Sequence, residues 1–233
     1  MEALAIIIIS IVTLILCAVL FKVNLKNLKR IKEIGEDKEL NAITNLLPEN
    51  EQVCKDILSL LGNDKVKVKI GEGNSKTSLY LVATNSIVIA NIKDTFTRIQ
   101  TIAHECIHSV QDKRLLWFNF IFSNIYLIYF VVITVLTLFN KIPFVNICVL
   151  VLVGMSAVLY IVRSHIEADA MIKARYIAEK YMETKTDLIS KEDIDIVVEN
   201  YDRINNDGVK LYSFSLLFGY VSKIIIYCVV SMI

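Results

Sequence analysis

The chain has 233 residues, a net charge of +1, 55% hydrophobic residues and a mean hydropathy of +0.55. This hydropathy is too high for an ordinary soluble domain and predicts membrane spans, so the lipid bilayer is an expected partner. The near-neutral charge leaves no basic surface of the size that nucleic acid requires, which excludes nucleic acid as a partner. The five cysteines lack CxxC pairing, so neither a disulfide framework nor a cysteine zinc site is expected.

An uninterrupted apolar run over residues 3–21 is long enough to span a bilayer. It has no basic residue before it and no small-residue cleavage site after it, so residues 1–23 are interpreted as an uncleaved transmembrane anchor. Basic residues follow the run directly, and the positive-inside rule predicts that this flank is cytoplasmic. These residues are Lys22, Lys26, Lys29, Arg30 and Lys32.

Residues 24–114 are predicted to form a cytoplasmic region with both helices and strands. Amphipathic helices are expected over residues 24–63, the last of them ending at Gly62. Strand-like runs follow at 66–70, 79–83 and 87–92, with a turn at 84–86. The last strand, at 87–91, either holds a peptide substrate as an added edge strand or serves only to pack the sheet.

The next predicted helix covers residues 96–111, with Asp94 or Thr95 as its cap, and carries an HExxH motif. In this motif His104 and His108 lie one helical turn apart on one face, so they can bind one metal ion together. Glu105 lies beside that metal position and can take a proton from a metal-bound water. The motif lies outside any long apolar run, so the site is expected at a membrane surface.

The second half of the chain predicts three more spans. Two of them, at 115–139 and 144–162, form a hairpin over 115–163 that leaves the cytoplasm and returns to it through a turn at 140–143. Cytoplasmic helices are expected over 164–210, where a capping box at Ser190 and Asp193 starts the second helix and 205–208 form a turn. The last span covers 211–233 and contains Lys223, which must snorkel, face other helices or lie outside a shorter span.

A zinc peptidase needs a third protein ligand, and His165, Glu167 and Asp169 are the candidates. Helix geometry favours Glu167, because it shares its face with small and apolar residues suited to close packing. Those residues are Ala170, Met171, Ala174, Ala178 and Tyr181. If the polar face turns inward instead, His165 becomes the ligand or a transition-state donor, with Asp169 as the carboxylate that supports it. The hairpin returns Glu167 to the side of the membrane that carries the motif.

The sequence resembles the bacterial neutral zinc metallopeptidases of the membrane, the YugP-like group. The family pattern H-E-x-G-H-A-x-Q matches residues 104–111, and E-x-D-A-S-x-x-A matches residues 167–174. Three positions depart from these patterns: Ile107, Ser109 and Met171. The resemblance follows the order of nearly the whole chain, and only the two motifs are specific. It implies zinc held by the two motif histidines and Glu167, with Glu105 as the catalytic base.

The expected fold is a mostly α-helical membrane protein with about four transmembrane helices and a small zincin-like α+β catalytic region. The expected function is that of a multi-pass zinc metalloendopeptidase of the bacterial cell membrane, with its site on the cytoplasmic side and peptides or membrane proteins as substrates. A zinc-bound water would attack the scissile carbonyl while Glu105 takes its proton and passes it to the leaving amine. The donor for the oxyanion stays open among His165, Tyr176, Tyr181 and Tyr212.

Two alternatives belong to other classes. The chain could be a catalytically inactive pseudo-peptidase that serves as a membrane scaffold or adaptor, for which Ile107 in place of glycine is the only support. It could also be a protease that cuts within the bilayer. That alternative is disfavoured because the motif helix is not itself a span and no second intramembrane aspartate motif is present.

Overall fold

The structure is a computed structural model that describes residues 2–71, 77–90 and 95–233. Over these residues the chain forms eight helices and three short strands. The helices are α1 (Glu2–Leu20), α2 (Leu25–Gly35), α3 (Lys38–Asn45), α4 (Asn50–Leu60), α5 (Arg98–His108), α6 (Lys113–Leu138), α7 (Val145–Glu183) and α8 (Lys191–Val230). The strands are β1 (Lys67–Ile70), β2 (Leu79–Leu81) and β3 (Ser86–Ile89).

The chain divides into two compact units. The first comprises Met1–Asn24, Trp117–His165 and Lys210–Ile233, and the second comprises Leu25–Leu116 and Ile166–Val209. Within the described residues four helices, α1, α6, α7 and α8, are long and apolar enough to cross a membrane. The predicted class, a mostly helical protein with about four membrane-crossing helices and a small sheet, is therefore confirmed at this level.

Several polar side chains of the first unit pair with partners within it, which satisfies groups that have little access to water. Ser156 donates a hydrogen bond to the Tyr126 hydroxyl at 3.0 Å, and both side chains are buried. The Lys223 ammonium lies 5.8 Å from the ring centroids of Tyr126 and Tyr220 and donates to the Gly219 carbonyl at 3.2 Å. Of the three arrangements predicted for Lys223, the structure has the one in which it faces another helix.

The sheet of the second unit has the strand order β1-β3-β2. Strand β3 pairs in parallel with β1 and antiparallel with β2, so it is the central strand. The prediction that the last strand is an edge strand is therefore wrong, and residues 91 and 92 of the predicted run lie outside the described residues. The physical reason lies in burial: Ser86, Ile87 and Ile89 are all buried, as in a strand covered on both faces.

The core of the second unit forms where α4, α5 and the sheet pack together. Its fully buried side chains repeat at helical spacing along α4 and α5 and include Val53, Ile57, Ile99, Ile102 and Cys106. The Sγ atoms of Cys54 and Cys106 lie 3.7 Å apart, and the five cysteines, all within the described residues, are free. Cys106 therefore packs α5 against α4.

A buried arginine holds the first turn of α5 against the end of α3 and the start of α4. The Arg98 guanidinium, 1% exposed, donates hydrogen bonds to the carbonyls of Thr44, Leu47 and Pro48 and to Asn50 Oδ1, at 2.6–2.9 Å. These acceptors are backbone and side-chain oxygens around a helix end, which need donors when they are buried. Arg98 thus fixes where the motif helix begins.

The start of α5 differs from the prediction. The N-cap is Thr97, which makes no side-chain cap hydrogen bond, so Thr95 is not the cap, and Asp94 lies outside the described residues. The backbone just before the helix is held by tertiary contacts instead. The Phe96 N–H donates to Asn41 Oδ1, and its carbonyl accepts a 2.9 Å hydrogen bond from the Tyr201 hydroxyl.

Helix α7 continues without a break from the second predicted span of the hairpin into the first predicted cytoplasmic helix. Helix α8 starts as predicted, because the Asp193 N–H donates to Ser190 Oγ at 3.1 Å and Ser190 Oγ donates to the Asp193 carboxylate at 2.8 Å.

The turn predicted at 205–208 is wrong, because α8 continues through these residues to Val230. Their turn-forming side chains make tertiary contacts instead. Asn205 accepts a hydrogen bond from Gln100 at 2.6 Å, and Asp207 pairs with Arg30. A Cβ at Gly208 would lie 3.6 Å from the terminal carbon of Met171, an ordinary van der Waals contact, so the helix at this point does not require a glycine.

Candidate metal centre

Three side chains from α5 and α7 bring their ligand atoms to one point in the second unit. His104 Nε2 and His108 Nε2 lie 3.0 Å apart, as their spacing of one helical turn allows. Glu167 Oε2 lies 3.3 Å from His104 Nε2 and 3.6 Å from His108 Nε2. All three side chains are at least half-buried, so the group is shielded from most solvent.

These distances fit a single bound metal ion. Ligand atoms at 2.0–2.2 Å from a tetrahedral zinc ion would be separated by about 3.3–3.6 Å from one another. The two separations that involve Glu167, 3.3 and 3.6 Å, fall in this range, and the separation between the two histidine nitrogens, 3.0 Å, is slightly shorter. Two imidazoles and one carboxylate form a ligand set that suits zinc and other divalent transition metals. The residues present can therefore hold a metal ion, and zinc as its identity stays a prediction.

The structure brings Glu167, and not His165, to the two histidines. The small face predicted to pack inward is buried, with Ala170, Ala174 and Ala178 fully covered. Glu167 lies at the start of that face and reaches the histidines, whereas His165 is exposed and belongs to the first unit. Among the described residues, the group that could hold a metal is His104, His108 and Glu167.

Glu105 lies inside the second unit and is only 7% exposed. Its Oε2 atom accepts a 2.7 Å hydrogen bond from the backbone N–H of Tyr80 in β2. Burial raises the pKa of Glu105, and the nearby His104 and His108 together with the Tyr80 N–H oppose that shift. A buried carboxylate with a raised pKa beside two imidazoles is suited to accept and release a proton.

His108 is buried, and different parts of its environment shift the pKa of its imidazole in opposite directions. Burial by itself would lower the pKa of His108, but its contacts with Glu167 and Gln111 raise the pKa above its usual value. A proton and a metal ion compete for the same nitrogen, so metal binding to this histidine displaces a proton.

Sequence reasoning did not assign a role to Gln111, which contacts His108 directly. Gln111 Oε1 lies 2.8 Å from His108 Nδ1, and Gln111 Nε2 donates to Asp169 Oδ2 at 2.9 Å. Asp169 therefore lies behind His108, with Gln111 between them. The signal that could have revealed this was the spacing, since Gln111 follows His108 by three residues, about one helical turn.

The tyrosines proposed as oxyanion donors differ in their surroundings. Tyr176 is 60% exposed, and the Arg175 guanidinium lies over its ring at 4.8 Å. Tyr181 is fully buried, and its hydroxyl has no hydrogen-bond partner in the described residues. His165 and Tyr212 belong to the first unit. No observation therefore singles out a donor.

In its described residues the protein thus combines four helices that could cross a membrane, a small sheet and a His-His-Glu group that could hold a metal ion. Comparisons with protein-family models, with curated proteins and with solved structures gave no match.

Proposed function

We propose that this protein is an integral-membrane zinc metallopeptidase that hydrolyses peptide bonds. The observation that carries the proposal is the convergence of His104, His108 and Glu167 at distances suited to one tetrahedral ion. Glu105, next to His104 on the same helix, supplies a buried base beside that point. Metal ligands with an adjacent carboxylate are the minimum that hydrolysis by a metal-activated water requires.

The metal ion, Glu105 and the Tyr80 N–H would each have a separate role in hydrolysis. A bound zinc ion would polarise the scissile carbonyl and make water nucleophilic near neutral pH. Glu105 would take the proton of the attacking water and deliver it to the leaving amine. The Tyr80 N–H holds the Glu105 carboxylate in position, so little motion is needed before proton transfer.

Strand β2, instead of the predicted β3, is the proposed docking edge for a peptide. Among the described residues β2 pairs on one side only, with β3. The Tyr80 N–H on this strand donates to Glu105, so its backbone lies beside the proposed base. A substrate that adds to β2 as a strand would therefore bring its scissile bond next to Glu105.

Replacing Tyr80 by Pro tests the hydrogen bond between β2 and Glu105, with Tyr80→Ala as the matched control. Both variants lose the phenol, but only proline also removes the backbone N–H, and an edge strand tolerates proline. The proline variant is expected to cleave a peptide with a kcat/KM about 5- to 10-fold below that of the alanine variant, the effect of about one hydrogen bond. Equal kcat/KM values for the two variants would argue against a role of the Tyr80 N–H in positioning Glu105.

The proposed orientation places the site at the cytoplasmic face. Lys22 and the basic residues that follow it lie just after α1, and Lys113 and Arg114 begin α6. These basic flanks favour the cytoplasm by the positive-inside rule. Two candidate spans separate the motif histidines from Glu167 along the chain, which keeps all three ligands on one side of a bilayer.

Metal removal tests the proposed function as a whole. Purified full-length protein is expected to contain about one zinc ion per chain and to cleave an unstructured protein such as casein. Treatment with a chelator should abolish cleavage, and added zinc, but not added calcium, should restore it. Protein without bound zinc, or cleavage that survives full metal removal, would refute the proposal. Zinc binding without cleavage of casein or of membrane-protein substrates would instead support the scaffold alternative.

A further inference from the structure

The side chain of Gln111 connects the end of the motif helix to the helix that carries Glu167. Its Oε1 atom lies 2.8 Å from His108 Nδ1. Its Nε2 atom donates to the Ile166 carbonyl at 2.8 Å and to Asp169 Oδ2 at 2.9 Å. The two residues that accept from this amide lie one position before and two positions after Glu167 in the sequence.

The contacts of Gln111 determine which way its amide points. Both partners of Nε2 are oxygen acceptors, so the NH₂ group must face them and the carbonyl oxygen must face His108. An amide oxygen can only accept, and His108 Nδ1 must therefore carry the hydrogen. This tautomer leaves the lone pair on His108 Nε2, the atom that lies with His104 and Glu167.

The same contacts also set the position of α7 relative to α5. Gln111 binds the carbonyl of the residue before Glu167 and the side chain two residues after it. A shift of α7 along its axis would break both hydrogen bonds. The Asp169 carboxylate, which also pairs with Lys173 at 2.7 Å, polarises the amide and so strengthens its hydrogen bond with His108.

We propose that Gln111 is a positioning residue that selects the metal-binding tautomer of His108 and holds Glu167 at ligand distance from it, with Asp169 as its anchor. This inference rests on the metal-binding part of the proposed function. It concerns metal affinity, because Gln111 does not itself reach the metal position. Outer hydrogen-bond partners of ligating histidines commonly change metal affinity by about 10- to 100-fold.

The test is zinc affinity, measured by competition with a chromophoric chelator on purified full-length protein. Gln111→Ala is expected to bind zinc about 10- to 100-fold more weakly than the wild type. Gln52→Ala is the matched control, because the Gln52 amide also donates to a carboxylate, that of Asp56, but lies on the exposed side of α4. The control should bind zinc as the wild type does.

A second pair of variants keeps the test valid if Gln111→Ala disturbs the fold. Gln111→Glu has the same shape, but it cannot donate to Asp169 and places two carboxylates together, so its zinc affinity should fall. Adding Asp169→Asn supplies a donor to the new carboxylate and should recover part of that loss. Undiminished affinity in Gln111→Ala, or no recovery in the double variant, would overturn the inference while wild-type zinc binding stands. A wild type that binds no zinc would overturn the proposed function and this inference with it.

Discussion

Glu105→Gln is expected to lower kcat for peptide hydrolysis by about 100- to 10,000-fold while the zinc content stays unchanged. Glutamine has the size of glutamate and can still accept the hydrogen bond from the Tyr80 N–H, so the local structure should persist. It cannot take a proton from the attacking water. Peptide cleavage and elemental metal analysis on the same preparation measure the two effects separately.

Glu199→Gln provides the control for this substitution. Glu199 is exposed and, among the described residues, pairs with Arg203 on its own helix, so its neutralisation should change neither activity nor zinc content. A Glu105→Gln variant with full activity would rule out Glu105 as the base. Loss of zinc from this variant would show that Glu105 supports the metal instead of the chemistry.

Glu167→Ala is expected to weaken zinc binding by more than the roughly 10- to 100-fold that loss of an outer partner costs, because it removes one of three direct ligands. The fold should tolerate the change, since alanine suits a helix face already formed by Ala170, Ala174 and Ala178. Chelator competition measures the affinity, and circular dichroism checks that the helices persist.

His165→Ala is the matched control for Glu167→Ala, because the two residues lie two positions apart on α7 and were the competing ligand candidates. His165 is exposed, so its removal should leave zinc affinity unchanged. If His165→Ala lost zinc and Glu167→Ala kept it, the assignment of the third ligand would be wrong, and with it the inward orientation of the small face.

Local sequence patterns predicted the features that depend on neighbours along the chain. The apolar runs, the end of α4 near Gly62 and the capping of α8 by Ser190 all follow from residues within a few positions of one another. The spacing of His104 and His108 belongs to the same kind of signal. The small residues that follow Glu167 also indicated correctly which face of α7 is buried.

The incorrect predictions concern segments in which contacts with distant residues compete with the local secondary-structure propensity. Residues 205–208 have a turn-like composition, but contacts of Asn205 with Gln100 and of Asp207 with Arg30 keep them helical. The cap expected at Thr95 is replaced by contacts of Phe96 with Asn41 and Tyr201. In each case tertiary hydrogen bonds overcome a local propensity of about 1 kcal/mol or less per residue.

The order of the strands could not be read from the sequence either. Parallel pairing of β1 with β3 leaves β2 at the edge, although β2 lies between them in the chain. Strand patterns indicate which side chains are buried but do not specify which strands are neighbours. The strand proposed to bind a substrate peptide at the edge of the sheet is therefore β2 and not β3.

The sequence by itself determined that this protein has apolar helices able to cross a membrane and a helix that presents two histidines and a glutamate. Only the tertiary structure decided that Glu167 completes the group, that Gln111 links His108 to Asp169, and that Arg98 fixes the start of the motif helix. The physical reason is the distance along the chain between the residues that interact. Helical periodicity places side chains within one element, whereas ligand distances and buried hydrogen bonds depend on how separate elements pack together.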